Sequence, residues 1–216
     1  MRTNSPQHLV RGNSRKWNPG DVLLDDAVAK TPVDWKSLFG NDRPVELEIG
    51  TGKGTFLLAR APARKDLNFL GIEYARSYAA YSADRFRRAG LHNVRMLAAD
   101  AVPFVTHCVP DGSLWRVHIY FPDPWPKRRH HRRRSIQKPF VRELKRVLRP
   151  GGQLLIVTDH LDYFHQIRTV LEGEDRLAVV PFPNMADEDG QIVGTNFEKK
   201  YIAQGRPFYQ AARLRF

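Results

Sequence analysis

The chain has 216 residues, 42% of them hydrophobic, a single cysteine and a formal net charge of +12, with a pI near 10.1. That is enough apolar material for one domain with a sizeable core. The lone Cys108 excludes an intrachain disulfide framework, and no apolar run approaches the ~20 residues of a membrane span. The basic excess points to a polyanionic partner, because clustered cations raise both affinity and encounter rate for phosphates; the alternative is a basic surface with no special partner.

In chain order, the opening MRTNSPQHLVRGNSRKW carries Arg11, Arg15 and Lys16 without an apolar core segment. It reads as a basic arm rather than a signal peptide, and a cytoplasmic address is expected. Residues 21 to 40 read as partly helical, broken at Pro32, so 1–40 forms an arm and helical segment and 41–216 the main domain. PVELEIG (44 to 50) is a short strand ending in glycines, and GTFLLARA (54 to 61) is a helix closed by Pro62. Strands follow at 67 to 74, 93 to 100 and 114 to 121. A helix with Tyr78, Tyr81 and Phe86 on helical spacing occupies 77 to 90. SIQKPFVRELKRVL (135 to 148) is a helix terminated by Arg149-Pro150-Gly151-Gly152, and a fifth strand, 153 to 159, leads to a helix over 161 to 173. Late strands at 176 to 182 and 207 to 216 finish the chain. This alternation predicts an α/β fold with a mostly parallel central sheet and helices on both faces. Ligands then bind at the carboxyl ends of the strands.

Those strand ends carry charge. The first runs into Glu48-Ile49-Gly50-Thr51-Gly52-Lys53-Gly54, where glycines permit positive φ and close backbone approach. The G-x-G-x-G spacing departs from the dinucleotide G-x-G-x-x-G. A carboxylate before it suits a cationic group, an ammonium or a sulfonium; otherwise Glu48 is a surface acid on a tight turn. Glu73 ends the second strand, where an acid commonly accepts ribose hydroxyls. Asp100 ends the third, placed either to accept from an adenine amino group or to cap a helix.

The most unusual stretch is FPDPWPKRRHHRRR, residues 121 to 134. Lys127, Arg128, Arg129, Arg132, Arg133 and Arg134 supply six of the twelve excess positives beside Asp123 and Trp125. Trp125 either stacks on a base or packs the loop onto the core. His130 and His131 lack the spacing of a zinc site.

E-x-G-x-G-x-G, the acids at strand ends two and three, and L-R-P-G-G before strand five together resemble the Rossmann-like class I S-adenosylmethionine-dependent methyltransferases. F-x-D-P-W-x-K, Thr158-Asp159 and Thr195-Asn196-Phe197-Glu198 narrow the resemblance to the bacterial tRNA (guanine-N7)-methyltransferases, the TrmB family, over roughly residues 44 to 201. The resemblance implies S-adenosylmethionine as cofactor, with Glu48, Gly50, Gly52, Gly54, Glu73, Asp100 and Asp123 around it. It implies that Lys127, Asp159, Thr195, Asn196, Phe197 and Glu198 contact the guanine or nearby RNA, in the variable loop of tRNA; read without the motif, Asp159 and Glu198 are equally helix-capping or salt-bridge acids. The arginines from 128 to 134 are then expected to hold RNA. The implied assembly is a monomer or homodimer acting on tRNA, with no metal and no membrane.

Guanine N7 carries a lone pair and no proton, so attack on a sulfonium methyl needs no general base. Positive charge moves onto the base during transfer, and a fixed carboxylate beside the path stabilises it; Asp123 is the candidate catalytic residue. A nicotinamide-dependent oxidoreductase and a catalytically silent RNA-binding module on the same fold are the alternatives.

Overall fold

The computed structural model describes residues 17–185 and 193–216. The arm residues Arg11, Arg15 and Lys16 lie outside them.

The elements run α1 (Trp35–Phe39), β1 (Val45–Ile49), α2 (Thr55–Ala63), β2 (Asn68–Glu73), α3 (Arg76–Arg88), β3 (Val94–Ala98), α4 (Ala101–His107), β4 (Leu114–Tyr120), α5 (Lys138–Val147), β5 (Leu148–Thr158), α6 (Leu161–Glu172), β6 (Leu177–Val179), α7 (Asn196–Ala203) and β7 (Tyr209–Arg215). Short 3-10 turns occupy Gly20–Val22, Asp26–Lys30 and Arg128–Arg133. The strands form one sheet in the order β3-β2-β1-β4-β5-β7-β6. Neighbours from β3 through β5 are parallel, whereas β7 runs antiparallel to both β5 and β6. Phe56, Ala79 and Phe86 from α2 and α3 cover one face; Phe104, Phe140, Val141 and Ile167 from α4, α5 and α6 cover the other. The strand order reverses direction at β1, which lies between β2 and β4, and a crevice opens beyond the carboxyl ends there.

Three expectations need correction. Pro62 lies inside α2 rather than closing it; it stands in the last turn, where only one intrahelical bond is lost. Arg149-Pro150-Gly151-Gly152 does not stop the chain between helix and strand but belongs to β5. Gly151, at φ +79°, takes up the register shift between the Leu114–Leu148 and Arg116–Gln153 pairs. Residues 135 to 137 precede α5, which begins at Lys138. β7 is interior to the sheet and Arg213 is buried there, whereas Phe216 lies past the strand's end and is exposed. The sequence reading sets no bounds for α4 or α7; they enter it only as helices that Asp100 and Glu198 would cap.

The segment from 17 to 40 is tied to the sheet. Leu24 N–H donates to Met96 O, Val33 N–H to Cys108 O, and Trp17 meets Tyr81 edge-on at 4.8 Å.

Candidate active site

A cleft of about 1260 Å³ lies over the carboxyl ends of β1, β2, β3 and β4. Glu48, Gly50, Gly52, Glu73, Asp100 and Asp123 all line it. Gly54 does not: it caps α2 at φ +72°, and a Cβ there would stand 2.6 Å from the Phe86 ring, so its role is close packing of α2 on α3.

The acids differ in how they are held. Glu48 is 3% exposed and its Oε2 has no hydrogen-bond partner, which overturns the surface-acid alternative. Burial, reinforced by the neighbouring charge of Glu73, pushes its carboxyl up to about 8. Glu73 accepts from Gly52 N–H at 2.8 Å and from Ala75 N–H at 2.9 Å, so it shapes the glycine turn while facing the cleft. Asp100 caps α4 by accepting from Val102 N–H at 3.0 Å, and it also lines the cleft.

Behind Glu48 stands a group of charges that the sequence reading passed over. Glu46, two residues earlier on the same face of β1, is fully buried. It accepts from Arg60 at 2.7 and 2.9 Å, from Arg116 at 3.3 Å and from His118 Nε2 at 3.0 Å. Burial alone would raise its pKa; the hydrogen bond and charge of its partners outweigh that and hold it well below the carboxylate range. Burial also holds the His118 pKa below its ordinary value. With Nε2–H donated to Glu46, Nδ1 accepts from the Tyr120 hydroxyl at 2.7 Å, and Tyr120 lines the cleft. The signal was present: a strand covered on both faces should be wholly apolar, and Glu46 and Glu48 interrupt it.

At the far end of the cleft, the loop after β4 carries Asp123. Phe121 (φ +51°) and Trp125 (φ +43°) bracket it. Left-handed backbone at a bulky residue costs on the order of 1–3 kcal/mol and persists only where the surroundings impose it. Phe121 N–H donates to Val157 O at 2.7 Å. Trp125 is half-buried on the cleft wall, with the Arg133 guanidinium 4.9 Å from its ring centroid and His130 edge-on at 6.0 Å. It therefore bridges the basic run and the cleft instead of sinking into the core.

Of the expected RNA contacts, Arg128, Arg129 and Arg132 are exposed, and Arg133 is exposed and on the cleft wall. Arg134 is the exception. It is 2% exposed and its guanidinium bonds Pro124 O, Gln166 Oε1 and Asp162 Oδ2, so it is not presented to a phosphate.

Among the expected guanine contacts, Thr195 and Phe197 line the cleft, and Phe197 is 51% exposed. Asn196 opens α7. Glu198 is buried and off the cleft wall: its Oε2 accepts from Val193 N–H at 2.9 Å and Gly194 N–H at 2.6 Å, while Thr195 Oγ1 accepts from Glu198 N–H at 3.1 Å. This reciprocal capping fixes the start of α7. Asp159 pairs with Arg206 at 2.5 Å, and Arg206 lies 4.3 Å from the Tyr201 ring centroid. Asp159 and the exposed Lys127 lie off the cleft wall. Tyr74, 81% exposed, Val102 and Lys200 are wall residues that sequence reasoning missed. Tyr74 could have been found as the aromatic immediately after the strand-end Glu73.

The residues fit S-adenosylmethionine on the structure's own terms. Glu48 supplies a buried, unpartnered carboxylate oxygen for a cation, and at Gly50 no atom lies within 4 Å of where a Cβ would stand, leaving room for a ligand to approach the backbone. Fold and site together define a class I, S-adenosylmethionine-dependent methyltransferase. A family model described as "Putative methyltransferase" matches residues 42–211. The chain is 39% identical to a tRNA (guanine-N(7)-)-methyltransferase of Rhodopirellula baltica, covering 94% of this chain and 79% of that protein. It is 37% identical to the enzyme of that name from Alkalilimnicola ehrlichii, covering 86% and 78%. A solved S-adenosylmethionine-dependent methyltransferase from Aquifex aeolicus shares the fold, with a TM-score of 0.55 at 16% identity, over 89% of this chain and 100% of that one. The chain belongs to the tRNA (guanine-N7)-methyltransferase family.

Proposed function

We propose that this chain transfers the methyl group of S-adenosylmethionine to N7 of a guanine in the variable loop of tRNA. The observation that carries the reading is a single cleft with Glu48, Glu73 and Asp100 at one end and the Asp123 loop, Trp125 and Arg133 at the other. When bound, the cofactor supplies an electrophilic methyl on a sulfonium.

The chain's residues divide the remaining work. Glu48 receives the cofactor's ammonium, Glu73 its ribose hydroxyls and Asp100 its adenine amino group, beside Tyr74. Gly50 and Gly52 give it room, and Gly54 keeps the turn packed. Asp123 is the catalytic residue, a fixed negative charge close to the base as the base becomes positive. It abstracts no proton, since N7 has none to lose. Phe197 offers an exposed ring, 6.1 Å from Phe121 and 6.1 Å from Tyr201, on which an extruded guanine stacks. Thr195 and Asn196 contact its edge. Glu198 and Asp159 act from behind, holding α7 and Arg206, and Lys127 with Arg128, Arg129, Arg132 and Arg133 meets the RNA backbone. The partner is tRNA and the address is the cytoplasm. No described helix is long and apolar enough to cross a membrane.

The test is methyl transfer from labelled S-adenosylmethionine to tRNA lacking 7-methylguanosine, followed by digestion to nucleosides. Label in 7-methylguanosine alone is expected. Label in another nucleoside, or none, contradicts the reading.

A further inference from the structure

Arg134 closes the basic run, yet its side chain is 1% exposed. Its Nε donates to Pro124 O at 2.8 Å, Nη1 to Gln166 Oε1 at 2.8 Å and Nη2 to Asp162 Oδ2 at 2.5 Å. Nη2 also lies 3.1 Å from His131 Nε2, and the guanidinium carbon is 4.7 Å from the Tyr163 ring centroid. Asp162, Tyr163 and Gln166 all belong to the first half of α6. The same helix grips the next residues of the chain: Tyr163 Oη accepts from Ile136 N–H at 3.1 Å, and Gln166 Nε2 donates to Ile136 O at 3.1 Å.

Pro124 O is the carbonyl between Asp123 and the left-handed Trp125. Prolines at 122, 124 and 126 leave only Asp123 and Trp125 with N–H groups in that stretch, so the loop is best gripped through an acceptor. A planar fork of five N–H donors can reach that acceptor and two side chains of α6 at once, and a lysine cannot.

We propose that Arg134 is a positioning residue that holds the Asp123 loop against α6 for methyl transfer. It sets the rate of the reaction and leaves tRNA affinity alone. The inference rests on the role given to Asp123 above.

Single-turnover methylation at saturating S-adenosylmethionine and tRNA is measured for the parent protein, Arg134→Lys, Asp123→Asn and the double variant, alongside tRNA affinity across a salt series. Arg134→Lys should slow transfer by about ten- to a hundredfold, the scale of a small misplacement of reacting groups. Its tRNA affinity and salt slope should match the parent protein, and the double variant should be no slower than Asp123→Asn alone. Weaker tRNA binding with unchanged rate makes Arg134 a phosphate ligand and overturns the proposal, and so do losses that multiply in the double variant. A slow Asp123→Asn beside a full-rate Arg134→Lys overturns this proposal alone. A full-rate Asp123→Asn removes the role of Asp123 and takes this proposal with it. If Arg134→Lys does not fold, Asp162→Ala decides. Its side chain is 61% exposed, so one support is withdrawn without opening the core. A slower transfer at unchanged salt slope supports the proposal, and the parent rate overturns it.

Discussion

Glu46 and Glu48 stand two residues apart on one face of β1, both buried, and their carboxylates have opposite fates. Glu46 is saturated by Arg60, Arg116 and His118; Glu48 keeps an oxygen without a partner, beside the cleft. The first is a structural charge; the second is the one proposed above to receive a cationic ligand.

Glu46→Gln therefore should damage the fold and spare the chemistry. Breaking a buried ion pair leaves Arg60 uncompensated, at a cost of about 3–5 kcal/mol. For a domain of this size that lowers the melting temperature by roughly 10 °C. Calorimetry should show that drop with S-adenosylmethionine affinity within about twofold of the parent. A melting temperature unchanged to within about 2 °C would contradict the network's structural role.

Glu48 should make cofactor binding pH-dependent. Its folded pKa is raised, from an ordinary 4.5 to about 8. The folded protein thus holds a proton that the unfolded chain releases. The associated stability is fully present below about 4.5 and is lost as pH rises through about 8. A cationic ligand needs the ionised carboxylate, so affinity should rise with pH by up to about tenfold per unit until about 8. Glu48→Gln should bind more weakly and flatten that rise. Titration calorimetry between pH 6 and 8 checks both, and a parallel slope in the variant would take Glu48 out of the cofactor site.

Glu73→Ala should lose the ribose contact and, through Gly52 and Ala75, loosen the glycine turn. Hydrogen bonds to a charged acceptor contribute roughly 1.5–3 kcal/mol, so S-adenosylmethionine affinity should fall about tenfold or more. Equal calorimetric affinity in a folded variant would exclude it.

Replacing Arg128, Arg129 and Arg132 together with alanine should weaken tRNA binding. Each lost phosphate contact removes about 0.7 to 0.9 from the slope of log affinity against log salt, so the slope should flatten by up to roughly two units. Cofactor affinity and the methylated position should not change. An unaltered slope would make this run a solvated face.

How much of this was legible in the sequence follows from the range of the interactions. The acids at the ends of β1, β2 and β3 are read from short apolar runs, because strand, turn and strand-end carboxylate are neighbours in the chain. Glu46, Arg60 and His118 are 14 to 72 residues apart and meet only through the order of β1, β4 and α2. Arg134 looked like its five basic neighbours in the run; burial against Asp162 and Gln166, about thirty residues on, separates it from them. For Glu198 and Asp159 the motif tilts the choice toward a substrate contact over a helix cap or an ion pair; the structure gives Glu198 the cap and Asp159 the pair with Arg206. Glycine punctuation misled at β5, where Gly151 marks an irregularity within the ladder and not its edge.

The central claim is that Asp123 acts by fixed charge on a nucleophile that has no proton to give. Single-turnover methylation by Asp123→Asn, with cofactor and tRNA both saturating, tests it most directly. Removing a pre-organised electrostatic group costs about a hundredfold or more, so the rate should fall on that scale, with cofactor affinity retained and a residual product that is still 7-methylguanosine. A rate equal to that of the parent protein would contradict the claim.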